Sequence, residues 1–109
     1  MEISLPPGAR AVLLGPDVVA RAIAARERDP QRRWLLRRPR DVRRSFLEEV
    51  VDDGAHEERW MLLADGETRE SYVREVLEAA AEPDRQAIWL LRQADKVRRS
   101  YVEQVIDAP

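Results

Sequence analysis

Apolar residues along this chain gather in clusters whose spacing is helical. The clearest holds Val42, Phe46, Leu47, Val50 and Val51, at i, i+4, i+5, i+8 and i+9, which lays one broad stripe along a helix. Upstream stands a compact run, Trp34-Leu35-Leu36, whose three consecutive apolar residues cover most of a helix circumference. The run predicts a short helix enclosed by neighbours, and the stripe predicts a longer helix with one buried face. No period-2 run of β-branched residues occurs, and the clusters sit among Arg, Glu, Ala and Leu, which favour helix.

This pair of elements recurs. Trp34-Leu35-Leu36-Arg37, Trp60-Met61-Leu62-Leu63 and Trp89-Leu90-Leu91-Arg92 align, and a serine follows each Trp by eleven residues: Ser45, Ser71 and Ser100. Asp29–Asp52 laid on Asp84–Asp107 gives thirteen identities in twenty-four positions, more than shared composition explains, so the segments read as duplicated. The Trp spacing is 26 and then 29 residues, the extra three falling in Ala79-Ala80-Ala81. That period is shorter than those of tetratricopeptide and ankyrin repeats, whose signature residues do not occur. Between Pro7 and Arg28 a fourth, degenerate copy is a candidate, with Val12-Leu13-Leu14 in place of Trp-Leu-Leu and Val18, Val19 and Ile23 supplying a stripe. Atypical end units are expected of repeat arrays.

Capping and turn residues punctuate the units. Asp29-Pro30 and Asp84 stand where N-caps belong, while Pro39, Asp65-Gly66 and Asp95 mark turns inside the units. The expected architecture is therefore all-α: six to eight helices stacked as hairpins in one domain over residues 1–109. Residues 1–28 form an N-terminal helical cap, followed by repeats over 29–53, 54–82 and 83–109, and a length of 109 residues suits one core.

Composition adds two constraints. A hydrophobic share of 44% excludes general disorder despite 37% charged residues. The lack of cysteine excludes disulfides, thiolate metal sites and a cysteine nucleophile, and makes a cytoplasmic setting the expectation. Met1–Gly8 carries no basic start with an apolar run, and no stretch reaches the roughly eighteen apolar residues of a membrane span. The net charge of −2 conceals opposed blocks: ten arginines face three acids over residues 21–44, and thirteen acids face four arginines over 45–91. A basic stretch of this kind meets either an anionic partner or the acidic block of its own fold. Arginine outnumbers lysine eighteen to one, a bias that reflects genome composition as much as function.

Candidate chemistry is sparse because the marked polar positions are triplicated. A catalytic centre needs different groups converging on one place, whereas a repeated residue points at three places, so no enzyme is expected. Ser45, Ser71 and Ser100 have no recurring histidine as a base, and a hydroxyl inside a helix commonly bonds its own backbone or permits close packing. The lone histidine, His56, lies near Asp52, Asp53, Glu57 and Glu58, but Gly54 interrupts the spacing an oxygen-rich metal site would need. Glu48 and Glu49, being adjacent, point to different faces. No cofactor or metal is expected.

Arg43, Arg69 and Arg98 lie three residues before an aromatic, about 60° around the helix and inside the apolar stripe. A charge there needs a partner. Either each guanidinium bonds carbonyls that end a short helix, or a neighbouring carboxylate, or the three line a groove for an anion. For function, stacked hairpins suggest a non-enzymatic protein-binding or regulatory module with an unidentified protein partner. An alternative is a nucleic-acid-binding protein using the basic segment with Arg32, Arg33, Arg37, Arg38, Arg40 and Arg44, although Glu48 and Asp52 on the following face would repel phosphates. A small inhibitor whose acidic middle imitates an anionic ligand, and a homo-oligomer, are further alternatives.

Overall fold

The computed structural model describes residues 8–109, so the expectation about an export signal in Met1–Pro7 lies outside the described residues. Among these residues all regular structure is helical and no strand occurs: α1 (Ala9–Leu14), α2 (Asp17–Ala24), α3 (Pro30–Leu36), α4 (Arg40–Phe46), α5 (Glu57–Leu63), α6 (Gly66–Tyr72), α7 (Arg85–Leu91) and α8 (Asp95–Tyr101). Side chains start four of them. Asp29 accepts from the Gln31 N–H at 2.9 Å, Asp65 from the Thr68 N–H at 2.8 Å and Asp84 from the Ala87 N–H at 3.0 Å, while the His56 Nδ1 accepts from the Glu58 N–H at 3.1 Å. Pro30 fills the first position of α3, where its missing N–H costs nothing. At position 94 an alanine caps α8 without a side-chain bond, and Asp95 sits within the first turn.

From α4, α6 and α8 the chain continues without a break into π-helical segments, Leu47–Asp52, Val73–Leu77 and Val102–Ile106. The Glu78 N–H reaches the Val73 carbonyl and the Asp107 N–H the Val102 carbonyl, both at 2.8 Å and five residues back. A stripe recurring at slightly more than four residues drifts around an α-helix of about 3.6 residues per turn, and the wider π turn holds it nearer one line. Side chains bridge each junction at i, i+4. Ser45 donates to Glu49, Ser71 donates to Glu75, and Ser100 accepts from Gln104 at 3.1 Å.

Two compact units, Met1–Ala55 and His56–Pro109, divide the chain. At their border Gly54 has φ 74, a left-handed conformation that favours glycine. In the first unit α1 packs on α4 and α2 on α3; in the second α5 packs on α8 and its π continuation, and α7 on the π continuation of α6. Each unit is thus two helix pairs in which the short first helix of one pair lies on the long helix of the other. Of these, α1, α2, α3, α5 and α7, at six to eight residues, fall below the roughly 12–15 at which isolated helices persist in water, so this packing is what keeps them helical.

Arginines close both units. The Nε atoms of Arg43, Arg69 and Arg98 donate to the carbonyls of Arg38, Ala64 and Gln93, each five residues earlier, at 2.9, 3.1 and 3.1 Å. Their Nη1 atoms then cross to the opposite pair: Arg43 to the Leu13 carbonyl at 2.8 Å, Arg69 to the Leu91 carbonyl at 2.6 Å, and Arg98 to the Leu62 carbonyl. Arg43 also pairs with Asp17 through Nη2 and is fully buried. The acceptors are carbonyls at short-helix C-termini, which lack intrahelical partners and carry the negative end of the helix dipole. In the second unit the exchange runs both ways; in the first, Ala20 stands four residues after its cap residue Pro16, as Arg43 stands after Pro39, and has no guanidinium to give. Burial, and after it the charge of Arg69, pushes the Arg98 guanidinium below its ordinary range, with Asp95 opposing the shift.

Ion pairs repeat the same geometry at the surface. Arg10 pairs with Asp52 in the first unit and Arg59 with Asp107, at 3.2 Å, in the second, each joining the first helix to the far end of a π segment. Arg92 bridges Glu70 at 3.0 Å and Glu78 at 2.9 Å.

Two stability measurements test this description. Arg98→Ala, which removes donors from two carbonyls, is expected to cost about 2–4 kcal/mol in denaturant unfolding, whereas exposed Arg40→Ala should stay within about 0.5 kcal/mol. Hydrogen bonding by Thr68, side chain first and then backbone, holds the Asp65 carboxyl below its usual range. A depressed carboxyl contributes stability that is present above its unfolded pKa near 3.9 and is lost as pH falls through the lower folded value. Asp65→Ala should therefore cost about 1 kcal/mol at neutral pH, with the gap to the parent closing below about pH 3 in an acid titration followed by circular dichroism.

Candidate interaction surface

The three tryptophans, equivalent in sequence, occupy different environments. Trp34 is 2% exposed and Trp60 8%, but Trp89 is 59% exposed. Trp34 lies beneath the Arg38 guanidinium, 5.0 Å from the ring centroid, and its carbonyl accepts from Arg38 Nε at 3.1 Å. The Trp89 carbonyl accepts from Gln93 Nε2 at 3.0 Å in the same way, yet the ring faces solvent.

Around Trp89 the second unit forms a cleft lined by Glu58, Asp84, Arg85, Gln86, Ala87, Leu90 and Tyr101. Val97, Tyr101 and Val105 follow one another at i, i+4 steps on α8 and its continuation, with Val97 and Val105 exposed and Tyr101 half-buried. An exposed tryptophan in a cleft with Leu90 and Tyr101, rimmed by charges of both signs, has the make-up of a protein contact: an aromatic anchor, apolar neighbours and a polar rim. The corresponding Phe46 of the first unit is buried at 1%. Spacing carries no sign of this difference, because Trp89, Val97 and Tyr101 align with Trp34, Val42 and Phe46 of the first unit.

The basic segment is dispersed by folding. Arg32 pairs with Glu27 at 3.6 Å, Arg33 donates to the Glu27 carbonyl at 3.4 Å, and Arg38 turns onto Trp34. Arg37, Arg40 and Arg44 are exposed, and Arg40 and Arg44 make no ion pair among the described residues. Six acids of the second unit are tied into the fold: Asp65 and Asp84 cap helices, Glu70 and Glu78 hold Arg92, Asp95 holds Arg99 at 2.7 Å and Asp107 holds Arg59. The Arg92 hydrogen bond is the chief cause holding the Glu70 carboxyl below its usual range.

His56 is spent as a helix cap, and among the described residues no group of three or more His, Cys, Asp or Glu side chains is placed to hold a metal. No helix among them is long and apolar enough to cross a membrane. Comparison with family models, curated proteins and solved structures finds no match.

The difference between the tryptophans predicts opposite mutational costs. Trp34→Ala should lose about 3–5 kcal/mol by leaving a cavity, and Trp89→Ala less than about 1 kcal/mol, as measured by urea unfolding. Comparable losses at both sites would mean that Trp89 is enclosed in solution.

Proposed function

We propose that this chain is a non-enzymatic protein-binding module whose contact surface is the Trp89 cleft with the Val97–Tyr101–Val105 strip. The exposure of Trp89, at 59%, carries the reading. Tryptophan is the residue type most enriched at binding hot spots, and the ring stands in a cleft beside Leu90 and Tyr101 where a partner's side chains could exclude water. A regulatory role follows if the partner is an enzyme or a transcription factor.

The proposal extends to how the module arose: the four helix pairs descend from one hairpin, and the two units from one pair of hairpins. The matching arginine clamps and the matching Arg10–Asp52 and Arg59–Asp107 pairs support this. In that register the degenerate N-terminal copy sets Ala11, rather than Val12, opposite the tryptophans. Ala11 lies five residues before the cap residue Pro16, as Trp34, Trp60 and Trp89 lie five before Pro39, Asp65 and Ala94.

Nucleic-acid binding is the second reading, favoured by exposed Arg37, Arg40 and Arg44. An affinity pull-down from a lysate of the source organism, with and without nuclease, separates the two. One protein retained by the parent in both runs and lost with Trp89→Ala supports the module. Recovery abolished by nuclease and by Arg40→Gln plus Arg44→Gln, but indifferent to Trp89→Ala, replaces it with nucleic-acid binding.

A further inference from the structure

The fold supplies a cationic cover for one tryptophan and withholds it from another. Four residues after Trp34 stands Arg38, whose Nε donates to the Trp34 carbonyl at 3.1 Å and whose guanidinium lies 5.0 Å from the ring centroid. Four residues after Trp89 stands Gln93, and its Nε2 makes the same bond to the Trp89 carbonyl at 3.0 Å. The side chain ends there in a neutral carboxamide, with no charge to set on the ring. Among the described residues no cation stands over Trp89, which is 59% exposed where Trp34 is 2% exposed. Trp60 has Ala64 at the corresponding position and is enclosed in the core instead.

The covered ring shows what chemistry suits the open one. An indole face carries negative potential, and a guanidinium, being planar and weakly hydrated, stacks on it at a smaller desolvation cost than an ammonium. Charge points the same way. Within the unit His56–Pro109 twelve acids stand against eight arginines and lysines, so its field favours a positive partner. Along the cleft Glu58 and Asp84 outnumber Arg85. Asp84 is committed to capping α7, whereas the Glu58 carboxylate has no ion-pair partner among the described residues.

We propose that the Trp89 face is completed by an arginine of a partner protein, its guanidinium stacked on the indole as that of Arg38 is stacked on Trp34. This specificity rests on Trp89 being the centre of a protein contact, and adds which residue of the partner meets it. An acidic segment in the same place is repelled by the charge of the unit, and a lysine keeps the attraction but loses the planar stacking.

The test is a selection of random dodecapeptides displayed on phage against the immobilised full-length protein, with Trp89→Ala run in parallel. Peptides retained by the parent and not by Trp89→Ala are expected to share an arginine at one fixed position. Replacing that arginine by alanine should weaken binding about tenfold, and by lysine about threefold. Gln93→Arg, which offers the ring a guanidinium of this chain's own, should weaken the same peptides about tenfold, while Gln93→Ala should change their binding by less than about twofold. Trp89-dependent peptides without a shared arginine, or binding Gln93→Arg as tightly as the parent, would overturn the arginine while leaving Trp89 as a protein contact. A selection that yields no Trp89-dependent peptide would overturn the contact itself and the arginine with it.

Discussion

The fold depends on how short helices dispose of the carbonyls at their C-termini. A seven-residue helix has as many unsatisfied terminal groups as a long one but fewer internal hydrogen bonds to offset them. Here an arginine from the opposing pair supplies the missing donors, binding one carbonyl near its own turn and another across the unit. The guanidinium serves because it is planar, carries five donors and stays charged under burial. Loss of such a group leaves acceptors without donors and removes the aliphatic stem that fills the stripe, so the electrostatic and packing roles cannot be separated by simple truncation.

Local features of this fold were legible in the sequence and mutual ones were not. Asp29 and Asp84 announce helix starts because a cap acts over three residues, Asp65 marks a turn that the structure makes the cap of α6, and the absence of period-2 alternation announces an all-helical chain. The placement of Arg43 and Arg98 inside an apolar stripe signals burial, but the identity of Leu13 and Leu62 as acceptors does not follow from spacing. Segments with similar sequences cannot say which packs on which, so the grouping of four pairs into two units was hidden, as was the exposure of Trp89. The π segments did leave a trace. Apolar residues at i+4, i+5, i+8 and i+9, with none at i+3 or i+7, fit a turn wider than that of an α-helix.

The two units carry chemically distinct surfaces on similarly arranged helices. With Ala20 at the position of a clamp arginine, the first unit has one central guanidinium and Asp17 beside it, whereas the second holds both Arg69 and Arg98. Where Phe46 is enclosed, Tyr101 borders an open cleft. Two units can thus share one internal fastening while their outer positions differ, which is how one architecture comes to carry unrelated functions.

The clamps also bear on the order in which the chain folds. Arg43 meets a carbonyl 30 residues behind it and Arg98 one 36 residues behind, so each closure involves a modest loop and local helical contacts, conditions associated with fast folding. All donors and acceptors of a clamp lie within one unit. During synthesis the Arg43 clamp has its acceptors before the second unit has been translated, so this closure can form as the first long helix emerges.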